Sequence, residues 1–385
     1  MSLRSIVLLG ATGSIGRSAC RVAADFPDRV RIVGMSGFSN MEQLAAAAND
    51  LRPAALAVPD DRSAADLRAR LAYEPREILV GEEGLCRLVS IGEADMVLVA
   101  IVGTGGLRPT LAALDAGKDV ALASKEVLVV AGELVMTTAA RCGCRILPVD
   151  SEHNAIFQCL EGREPAHVRK LILTASGGPF RTWPADKLRA VTREEALRHP
   201  TWRMGEKITI DSATLFNKGL EMIEARWLFG VGIDRIDVVI HPQSIVHSMV
   251  EFVDGSILAQ MSHSDMRFPI QYAFTWPERL AGSLPPLDFA KLGRLDFEEP
   301  RDDVFPALDL ARQAAERGGG IPAVLNAANE VAVAEFLASR IAFPRIWEIV
   351  ASVMEQTPDR PAADLDTLLE ADRGAREMAR SIAAA

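Results

Sequence analysis

The feature that most constrains the fold is an alternation of apolar strand-like runs with helical patterns through residues 1–149. The runs are rich in Val, Ile and Leu without an intervening polar face, which is typical of strands buried on both sides. Predicted strands are 4–9, 30–35, 54–58, 77–80, 95–101, 119–123 and 145–149, and predicted helices between them include 15–25, 41–49, 108–116 and 125–141. This pattern favours a parallel sheet covered by helices on both faces.

The first strand runs directly into a glycine-rich turn, IVLLGATGSIG, with Gly10, Gly13 and Gly16. Glycines permit a tight turn and close approach of a phosphate, and the helix that follows supplies amide donors. The spacing is GxxGxxG rather than GxGxxG, so its position at the first strand–helix junction strengthens the interpretation. The alternative is a glycine-rich turn that binds no ligand. The turn and the strands together predict an α/β, Rossmann-like doubly wound parallel sheet that binds a dinucleotide.

The end of the second strand bears on which dinucleotide is bound. An NAD-binding domain commonly places Asp or Glu there to accept from the ribose 2′-hydroxyl. This chain has RIVGMSGFSN, which offers Ser36, Ser39 and Asn40 and no acid. Uncharged donors without a carboxylate suit a 2′-phosphate, although the loop contains no Arg or Lys. The sequence therefore favours NADP.

Later strands of the same sheet end in further candidate residues. The glycines at 103, 105 and 106 follow the fifth strand, near where a nicotinamide would lie in such a sheet. The tripeptide Ser124-Lys125-Glu126 closes the sixth strand. Lys125 could reach a substrate oxygen beside the cofactor, or it could be a solvated lysine at the start of a helix.

The pattern changes near residue 150. Residues 150–280 read as α+β, with a β-hairpin signal at Asp254-Gly255. Residues 281–303 are rich in Pro and Gly and predict a linker arm. Residues 304–385 predict a small helical domain with helices at 308–316, 323–339, 345–356 and 365–384.

The stretch VDSEHN at 149–154 brings two carboxylates together. If the strand continued through it, Asp150 and Glu152 would share one face with Cα atoms about 6.6 Å apart. At an effective dielectric constant of about 20, the two charges would repel by roughly 2.5 kcal/mol. A bound cation would turn that repulsion into attraction.

Four polar segments follow. Ser176-Gly177-Gly178 can form a backbone nest for an anion. The segment 199–207, with His199, Trp202 and Gly205, predicts a mobile flap. Asp211 or Ser212 is expected to cap the next helix, on which Glu221 is a neighbour of Asn217 at i and i+4 and of Lys218 at i and i+3. His241 and His247 flank a strand.

Each segment also has a structural interpretation. The glycine pair could be only a turn, and the trio on the helix could be a solvated face. Trp202 could belong to the core. His241 and His247 are more often satisfied structural histidines than ligands. Taken together, the segments instead predict a phosphate site, a cation site of three carboxylates and a loop that closes over both.

Charge and cysteine usage limit the partners and the location. The net charge of −10 argues against nucleic acid or an anionic membrane as the main partner. The five cysteines are an odd number in a chain that enters a strand-like run at once, so we expect reduced thiols and a cytoplasmic protein. Cys142 and Cys144 lack a second pair with zinc-like spacing, and we interpret them as structural.

These motifs carry a family resemblance. GATGSIG, SKE, LPVDSEHNAIFQ, SGGPF, HPTWRMGEK, DSATLFNKGLE, HPQSIVHSMV, DMRFPI and LNAANE closely resemble the 1-deoxy-D-xylulose 5-phosphate reductoisomerase family over nearly the whole chain. The resemblance implies a homodimeric enzyme that needs NADPH and a divalent cation, Mg²⁺ or Mn²⁺ with Co²⁺ a further candidate. Its substrate is a phosphorylated sugar, converted to 2-C-methyl-D-erythritol 4-phosphate. Residues 150–280 would form the catalytic and dimerisation domain.

The resemblance also assigns residues by position. The implied metal ligands are Asp150, Glu152 and Glu221, which together with Lys125 form the catalytic set. The implied substrate-binding residues are Ser151, Glu152, Ser176, His199, Trp202, Ser212, Asn217, Lys218 and Glu221. The implied cofactor-binding residues are Thr12, Gly13, Ser14, Ile15, Gly37, Ser39, Asn40, Ser124, Lys125, Glu126 and Gly205.

Two positions depart from the family pattern, and two other functions remain as alternatives. Phe38 stands in a loop that often carries a basic residue, and Ser124 stands where many relatives have asparagine. An NADP-dependent dehydrogenase of a phosphorylated sugar would not need three carboxylates. A dinucleotide-sensing protein would need neither the carboxylates nor the flap.

Overall fold

The computed structural model describes residues 3–202, 204–362 and 364–385. Two compact units are present. The first comprises Met1–Val127, Val135–Asn154 and Asp265–Pro285, and the second comprises Leu128–Leu134, Ala155–Ser264 and Pro286–Ala385. The division predicted from the sequence, at 149/150, 280/281 and 303/304, remains a prediction about which segments behave as domains.

The strands are β1 Arg4–Leu9, β2 Val30–Ser36, β3 Ala55–Val58, β4 Glu77–Val80, β5 Met96–Val99, β6 Asp119–Leu122, β7 Ile146–Pro148, β8 Val168–Ala175, β9 Ile236–Ile240, β10 Val246–Phe252 and β11 Ile257–Met261. The helices are α1 Ser14–Asp25, α2 Met41–Leu51, α3 Asp61–Arg70, α4 Gly81–Val89, α5 Leu107–Asp115, α6 Lys125–Cys142, α7 Ser151–Leu160, α8 Arg193–Ala196, α9 Glu206–Thr214, α10 Phe216–Phe229, α11 Arg267–Thr275, α12 Phe289–Leu292, α13 Ala307–Arg317, α14 Ile321–Leu337, α15 Arg345–Gln356 and α16 Leu365–Ala384.

The first unit is built on a seven-stranded sheet in the order β4-β3-β2-β1-β5-β6-β7. All of its pairings are parallel, and β1, β3 and β5 are almost wholly buried, as the unbroken apolar runs predict. The strand order reverses between β1 and β5, which is the topological switch point where such sheets bind ligands. The predicted Rossmann-like parallel sheet is confirmed.

The second unit is built on a four-stranded sheet in the order β11-β10-β8-β9. The hairpin predicted at Asp254-Gly255 is confirmed, since β10 and β11 pair antiparallel around it. In contrast, β8 and β9 pair in parallel, with Ala175 opposite Ile240. Their carboxyl ends therefore meet at one edge of the sheet, where polar segments follow both strands.

The helices from α13 to α16 confirm the predicted helical region and pack around a phenylalanine cluster. Phe343 lies edge-on to Phe180 and Phe336, with ring centroids 5.1 Å and 5.4 Å away. Through the described part of the chain, no helix combines the length and the apolarity that a membrane span needs.

Candidate active site

The glycine turn of the first unit lies at the switch point and leaves a helix end open. Gly13 precedes α1, and no side chain caps the helix there. A Cβ on Gly16 would lie 2.3 Å from the carbonyl oxygen of Gly10, so only glycine permits this close turn. Free amides at an uncapped helix start fit a cofactor pyrophosphate, with Thr12, Ser14 and Ile15 beside them.

Two residues predicted as cofactor donors, one at the end of β2 and one just before α2, act as hydrogen-bond acceptors within the protein. The Ser36 hydroxyl accepts from the Gly10 amide at 3.1 Å, and Asn40 accepts from the Gln43 amide at 2.9 Å as the N-cap of α2. Gly37 is buried, whereas Ser39 is exposed. Phe38 is 79% exposed, which is unusual for so large an apolar side chain. The absence of an acid here agrees with the interpretation as an NADP-type loop.

The ends of β5 and β6 are tied together by a buried serine. The Ser124 hydroxyl donates to the carbonyl of Ile101, in the segment that leads into the glycines at 103, 105 and 106. Ser124 and Glu126 are 6% and 7% exposed. Ser124 thus joins two loops at the carboxyl edge of the sheet, on the side where the cofactor residues are expected.

Lys125 is buried rather than solvated. Its side chain is 10% exposed and forms an ion pair with Asp150, whose side chain is 11% exposed. The alternative that Lys125 is a solvated lysine at a helix start is therefore wrong. The pair neutralises both charges and holds the ammonium group beside the VDSEHN segment.

The strand geometry considered for Asp150 and Glu152 is also wrong. Strand β7 ends at Pro148, and α7 begins at Ser151. The Glu152 amide donates to Asp150 Oδ1 at 3.2 Å, as at a helix start, and the Ser151 hydroxyl donates to Glu152 Oε2 at 2.5 Å. The two carboxylates lie at the first turn of a helix, where amide donors and the helix dipole relieve their repulsion.

The second unit gathers a hydroxyl–histidine cluster at the edge where β8 and β9 end. His199 Nε2 lies 3.0 Å from the hydroxyl oxygens of both Ser176 and Ser212. Gly178 has φ +67°, and a Cβ there would lie 2.8 Å from Ala213 Cα. The close packing of the glycine turn on α9 brings Ser176 and Ser212 together.

The backbone fixes the tautomer of His199. Its Nδ1 accepts from the amides of Thr201 and Trp202 at 3.2 Å and 2.9 Å, so in the neutral ring the proton is on Nε2. Burial lowers the pKa of His199 to about 4, and the imidazole is neutral near pH 7. An N–H donor therefore points between two hydroxyl groups, an arrangement that suits an anion.

The capping predicted for Asp211 or Ser212 is wrong. Both residues lie inside α9, which extends to Thr214, and Asp211 pairs with Lys207 one turn earlier. Helix α10 begins at Phe216, and Leu215, the single residue between α9 and α10, has φ +65°. The chain therefore changes direction at Leu215, whose backbone is in the left-handed conformation, and not at a polar residue that caps α10.

The predicted trio on α10 is confirmed as a set of neighbours. Asn217 Nδ2 donates to Glu221 Oε1 at 2.6 Å, and Lys218 Nζ lies 2.5 Å from Glu221 Oε2. Lys218 and Glu221 have side chains 3% and 1% exposed, so the interpretation as a solvated helix face is wrong. Asn217 Oδ1 is buried without a hydrogen-bond partner in the described parts of the chain. A buried amide left half-satisfied is typical of a site that a ligand completes.

The predicted flap lies over the turn that follows β9. The hydroxyl groups of Thr201 and Ser244 are 3.2 Å apart, and the half-buried Trp202 ring lies 6.3 Å from the ring of His247. Gly205 ends the loop, because residues 206 and 207 already belong to α9. Arg203, inside the predicted flap, is outside the described residues.

Ser244 was missed by the sequence reasoning. It has φ +52°, is 8% exposed and sits in the turn His241–Ser244, which begins where β9 ends. The parallel pairing of β8 with β9 is the feature that draws attention to it, because that pairing brings the turns after both strands to one edge of the sheet. His241 and His247 are buried with ring nitrogens bonded to backbone groups, which confirms their interpretation as structural histidines.

The fold and the glycine turn place the protein in the class of dinucleotide-binding α/β proteins. Comparison with known sequences identifies the family. Residues 6–132 match the model described as 1-deoxy-D-xylulose 5-phosphate reductoisomerase, and residues 146–229 and 261–378 match models of its C-terminal domains. The chain belongs to the 1-deoxy-D-xylulose 5-phosphate reductoisomerase family.

Individual relatives of the family match this chain over nearly its full length. The protein of that name from Symbiobacterium thermophilum is 54% identical over 382 residues, covering 98% of each chain. The reductoisomerase structure from Zymomonas mobilis in complex with NADPH has a TM-score of 0.93 at 43% identity and covers 99% of both chains. A reductoisomerase structure in complex with NADPH, fosmidomycin and magnesium has a TM-score of 0.91 at 42% identity, covering 99% of this chain and 98% of the other.

Proposed function

We propose that this protein converts 1-deoxy-D-xylulose 5-phosphate to 2-C-methyl-D-erythritol 4-phosphate, using NADPH and a divalent cation. Membership of the family supports the reaction. Among the features of the chain itself, the one that carries the proposal is the cluster of Ser176, His199 and Ser212. It presents neutral donors converging on one point, as a phosphate group requires.

The phosphate end of the substrate would be held within the second unit. Ser176, Ser212 and the Nε2–H group of His199 would donate to phosphate oxygens. Asn217 Nδ2 and Lys218 Nζ would add donors, although both now bond to Glu221. The Asn217 amide has two N–H donors and the Lys218 ammonium has three, so each could bind a phosphate oxygen while still bonded to Glu221.

The chemistry of the donor set fits a hard divalent cation. Asp150, Glu152 and Glu221 each offer a carboxylate oxygen, the ligand type that Mg²⁺ and Mn²⁺ prefer. We propose these three as the metal ligands, with Co²⁺ a further candidate. When bound, the cation would polarise the substrate oxygens and stabilise negative charge that develops during rearrangement.

The residues of the first unit would place the cofactor and the reacting oxygens. The open start of α1, with Thr12 to Ile15, would bind the pyrophosphate, and Gly37, Ser39 and Asn40 the adenosine end. Ser124, Lys125 and Glu126 belong to the same proposed cofactor set, which also includes Gly205 of the second unit. Near the reacting carbons, Ser151 would donate to a substrate hydroxyl. Lys125 and Glu152 are both candidates for moving the proton.

The proposed reaction breaks one carbon–carbon bond and forms another between different carbons, which yields an aldehyde. When bound, NADPH would supply the hydride for the aldehyde carbon, and the residues beside it would supply the proton that the oxygen takes up. Binding of the remote phosphate would supply free energy for orienting these bonds. We propose that the flap, through Trp202, covers the substrate and excludes water.

We propose that the protein is a homodimer paired through the second unit. Strand β11 is the edge of its sheet, and Ile257, Leu258 and Met261 on it are 51%, 36% and 36% exposed. An exposed apolar edge strand is a template for pairing with a second copy. Separately, all five cysteines are free thiols, which supports work in a reducing compartment such as the cytoplasm.

The test is to mix the protein with 1-deoxy-D-xylulose 5-phosphate, NADPH and Mg²⁺ and to follow the loss of the reduced nicotinamide absorbance. We expect turnover that EDTA abolishes and added Mg²⁺ restores. Oxidation of NADPH that ignores EDTA would favour a plain dehydrogenase. Tight NADPH binding without turnover of this substrate would favour a sensing protein.

A further inference from the structure

Helix α14 carries two asparagines in an otherwise apolar, buried sequence, IPAVLNAANEVAVAEFL. Both Asn326 and Asn329 are 0% exposed. Burying an amide destabilises the fold unless hydrogen bonds compensate for lost water. Each asparagine therefore needs an explanation from its contacts.

The NH₂ group of Asn326 is satisfied within the helical region, although its Oδ1, like that of Asn329, has no hydrogen-bond partner among the described residues. Its amide donates to Glu330 one turn later at 3.0 Å, and Glu330 pairs with Arg376 on α16 at 2.7 Å. Arg376 also binds Asp372 on its own helix. This network joins α14 to α16, and its hydrogen bonds among the described residues involve none of the residues proposed for the reaction.

Asn329 instead reaches the helix that carries part of the phosphate pocket. Its Nδ2 donates to Asp211 Oδ1 at 2.8 Å, across 118 positions of the chain. A carboxylate can only accept, so the NH₂ group must face Asp211. The Asn329 Oδ1 atom is then buried with no hydrogen-bond partner in ranges 3–202, 204–362 and 364–385. An unsatisfied oxygen lowers stability, so the contact with Asp211 is what this amide contributes.

Asp211 directly precedes Ser212, one of the residues of the proposed phosphate site. It is 1% exposed, and its second oxygen lies 2.6 Å from Lys207 Nζ in the first turn of α9. The next residue is Ser212, whose hydroxyl lies 3.0 Å from His199 Nε2. A rotation of α9 about its axis would move Ser212 away from His199.

The position of α9 also affects Asn217 and Lys218, the other proposed phosphate donors. Only Leu215 separates α9 from α10, which begins with Asn217 and Lys218 in its first turn. A shift of α9 is therefore expected to move α10 as well, because a single residue connects the two helices.

We infer that Asn329 is a positioning residue for the phosphate pocket, acting through Asp211 on helix α9. The inference rests on the proposed function, because it takes Ser176, His199 and Ser212 to be the phosphate site. It adds α14 to the elements that determine substrate affinity, although Asn329 itself touches no substrate.

The test uses two matched substitutions in the full-length protein, Asn329→Leu and Asn326→Leu. Both remove a fully buried amide of the same helix. Isothermal titration with inorganic phosphate and steady-state kinetics with the substrate are measured at pH 6.0 and 8.5. For Asn329→Leu we expect the phosphate Kd and the substrate KM to rise by roughly three- to thirtyfold, with a smaller change in kcat. For Asn326→Leu we expect both constants within about twofold of the wild type.

A third variant, Asn329→Asp, tests the donor directly. A carboxyl buried beside Asp211 is expected to be protonated more readily at pH 6.0 than at pH 8.5, because burial and the charge of Asp211 raise its pKa, while Lys207 on the far oxygen of Asp211 opposes this shift. Its O–H can then donate to Asp211 as the amide does. We expect phosphate affinity close to that of the wild type at pH 6.0, each value being compared with the wild type at the same pH. This variant also keeps the test decisive if Asn329→Leu does not fold.

Three results would overturn the inference. The first is an unchanged phosphate Kd in Asn329→Leu. The second is an equal loss in Asn326→Leu, which would reveal a general loss of stability. The third is an Asn329→Asp variant that binds phosphate at pH 6.0 as weakly as Asn329→Leu. Failure of the proposed function looks different, because then the wild-type protein itself neither binds phosphate nor turns over the substrate.

Discussion

At the scale of single residues, the candidate site depends on side chains whose partners set their charge. Lys125 pairs with Asp150, and Lys218 pairs with Glu221. His199 is held neutral by burial and by two backbone amides on Nδ1. A buried charge is stable only when it is paired, so a change in one partner is expected to alter the function of the other.

Glu221→Gln is expected to weaken the cation site and also to lower stability, because it removes the carboxylate that pairs with the buried Lys218. Glutamine loses the negative charge, and its single carbonyl oxygen replaces only one of the two oxygens that accept from Asn217 and Lys218. The Mg²⁺ concentration that gives half-maximal activity should rise by roughly 10- to 100-fold or more. Glu224→Gln, which changes another buried acid on α10, is the control and should leave that concentration unchanged. Equal Mg²⁺ dependence in both variants would argue against Glu221 as a ligand.

His199 predicts a dependence of stability on pH. Its pKa in the folded protein is about 4, below the ordinary 6.5, so between these values only the unfolded chain binds the proton. The free energy of unfolding contributed by His199 is complete above pH 6.5 and is lost as the pH falls towards 4. Denaturant unfolding of wild type and His199→Gln should give a difference that shrinks over this interval. A constant difference would show that His199 does not titrate in this way.

At the scale of elements, the decisive points are where one element ends and the next begins. β7 ends before Asp150, and α9 passes Asp211 before it turns at Leu215. A glycine turn after β8 packs against α9. Each junction carries residues proposed for the site, so junction geometry sets the spacing of the reactive groups.

Gly178→Ala is expected to disturb the phosphate pocket through backbone geometry. The new Cβ would meet α9 at 2.8 Å at a residue with φ +67°. Gly162→Ala is a matched control, because Gly162 has φ +71° and nothing within 4 Å of an added Cβ. Gly178→Ala should lose about 1–3 kcal/mol more of unfolding free energy than the control, together with phosphate affinity. Equal losses in the two variants would contradict the packing argument.

At the scale of the whole molecule, the proposed binding roles are divided between two units, each of which has its own sheet. The first contains most of the residues proposed for the dinucleotide, together with Asp150 and Glu152, and the second contains the residues proposed for the phosphate, together with Glu221. The edge strand β11 belongs to the second unit, and dimerisation is accordingly proposed there.

Leu258→Arg is expected to weaken the homodimer. A charge on the exposed apolar edge of β11 opposes strand pairing with a second copy. Sedimentation velocity at micromolar concentration should change from dimer to monomer. Phe38→Arg adds the same charge at another exposed apolar residue, in the first unit, and should stay dimeric. A wild-type protein that sediments as a monomer would refute the proposed interface.

The parts that could be predicted from the sequence are those that depend on local pattern. Unbroken apolar runs indicated the parallel sheet, and the glycine turn indicated its ligand edge. The spacing of Asn217, Lys218 and Glu221 was enough to make them neighbours, since helix periodicity is local. The resemblance supplied the family, which the comparisons confirmed.

Tertiary structure decided what depends on distant partners and on burial. The sequence left Lys125 as either a lysine that reaches a substrate oxygen or a solvated lysine at a helix start, and its burial against Asp150 excludes the second. It placed the helix cap at Asp211 or Ser212, whereas Asp211 is buried against Lys207 and Asn329. Local sequence determines which conformations are favourable, but the free energy of a buried charge depends on atoms that other parts of the chain bring to it.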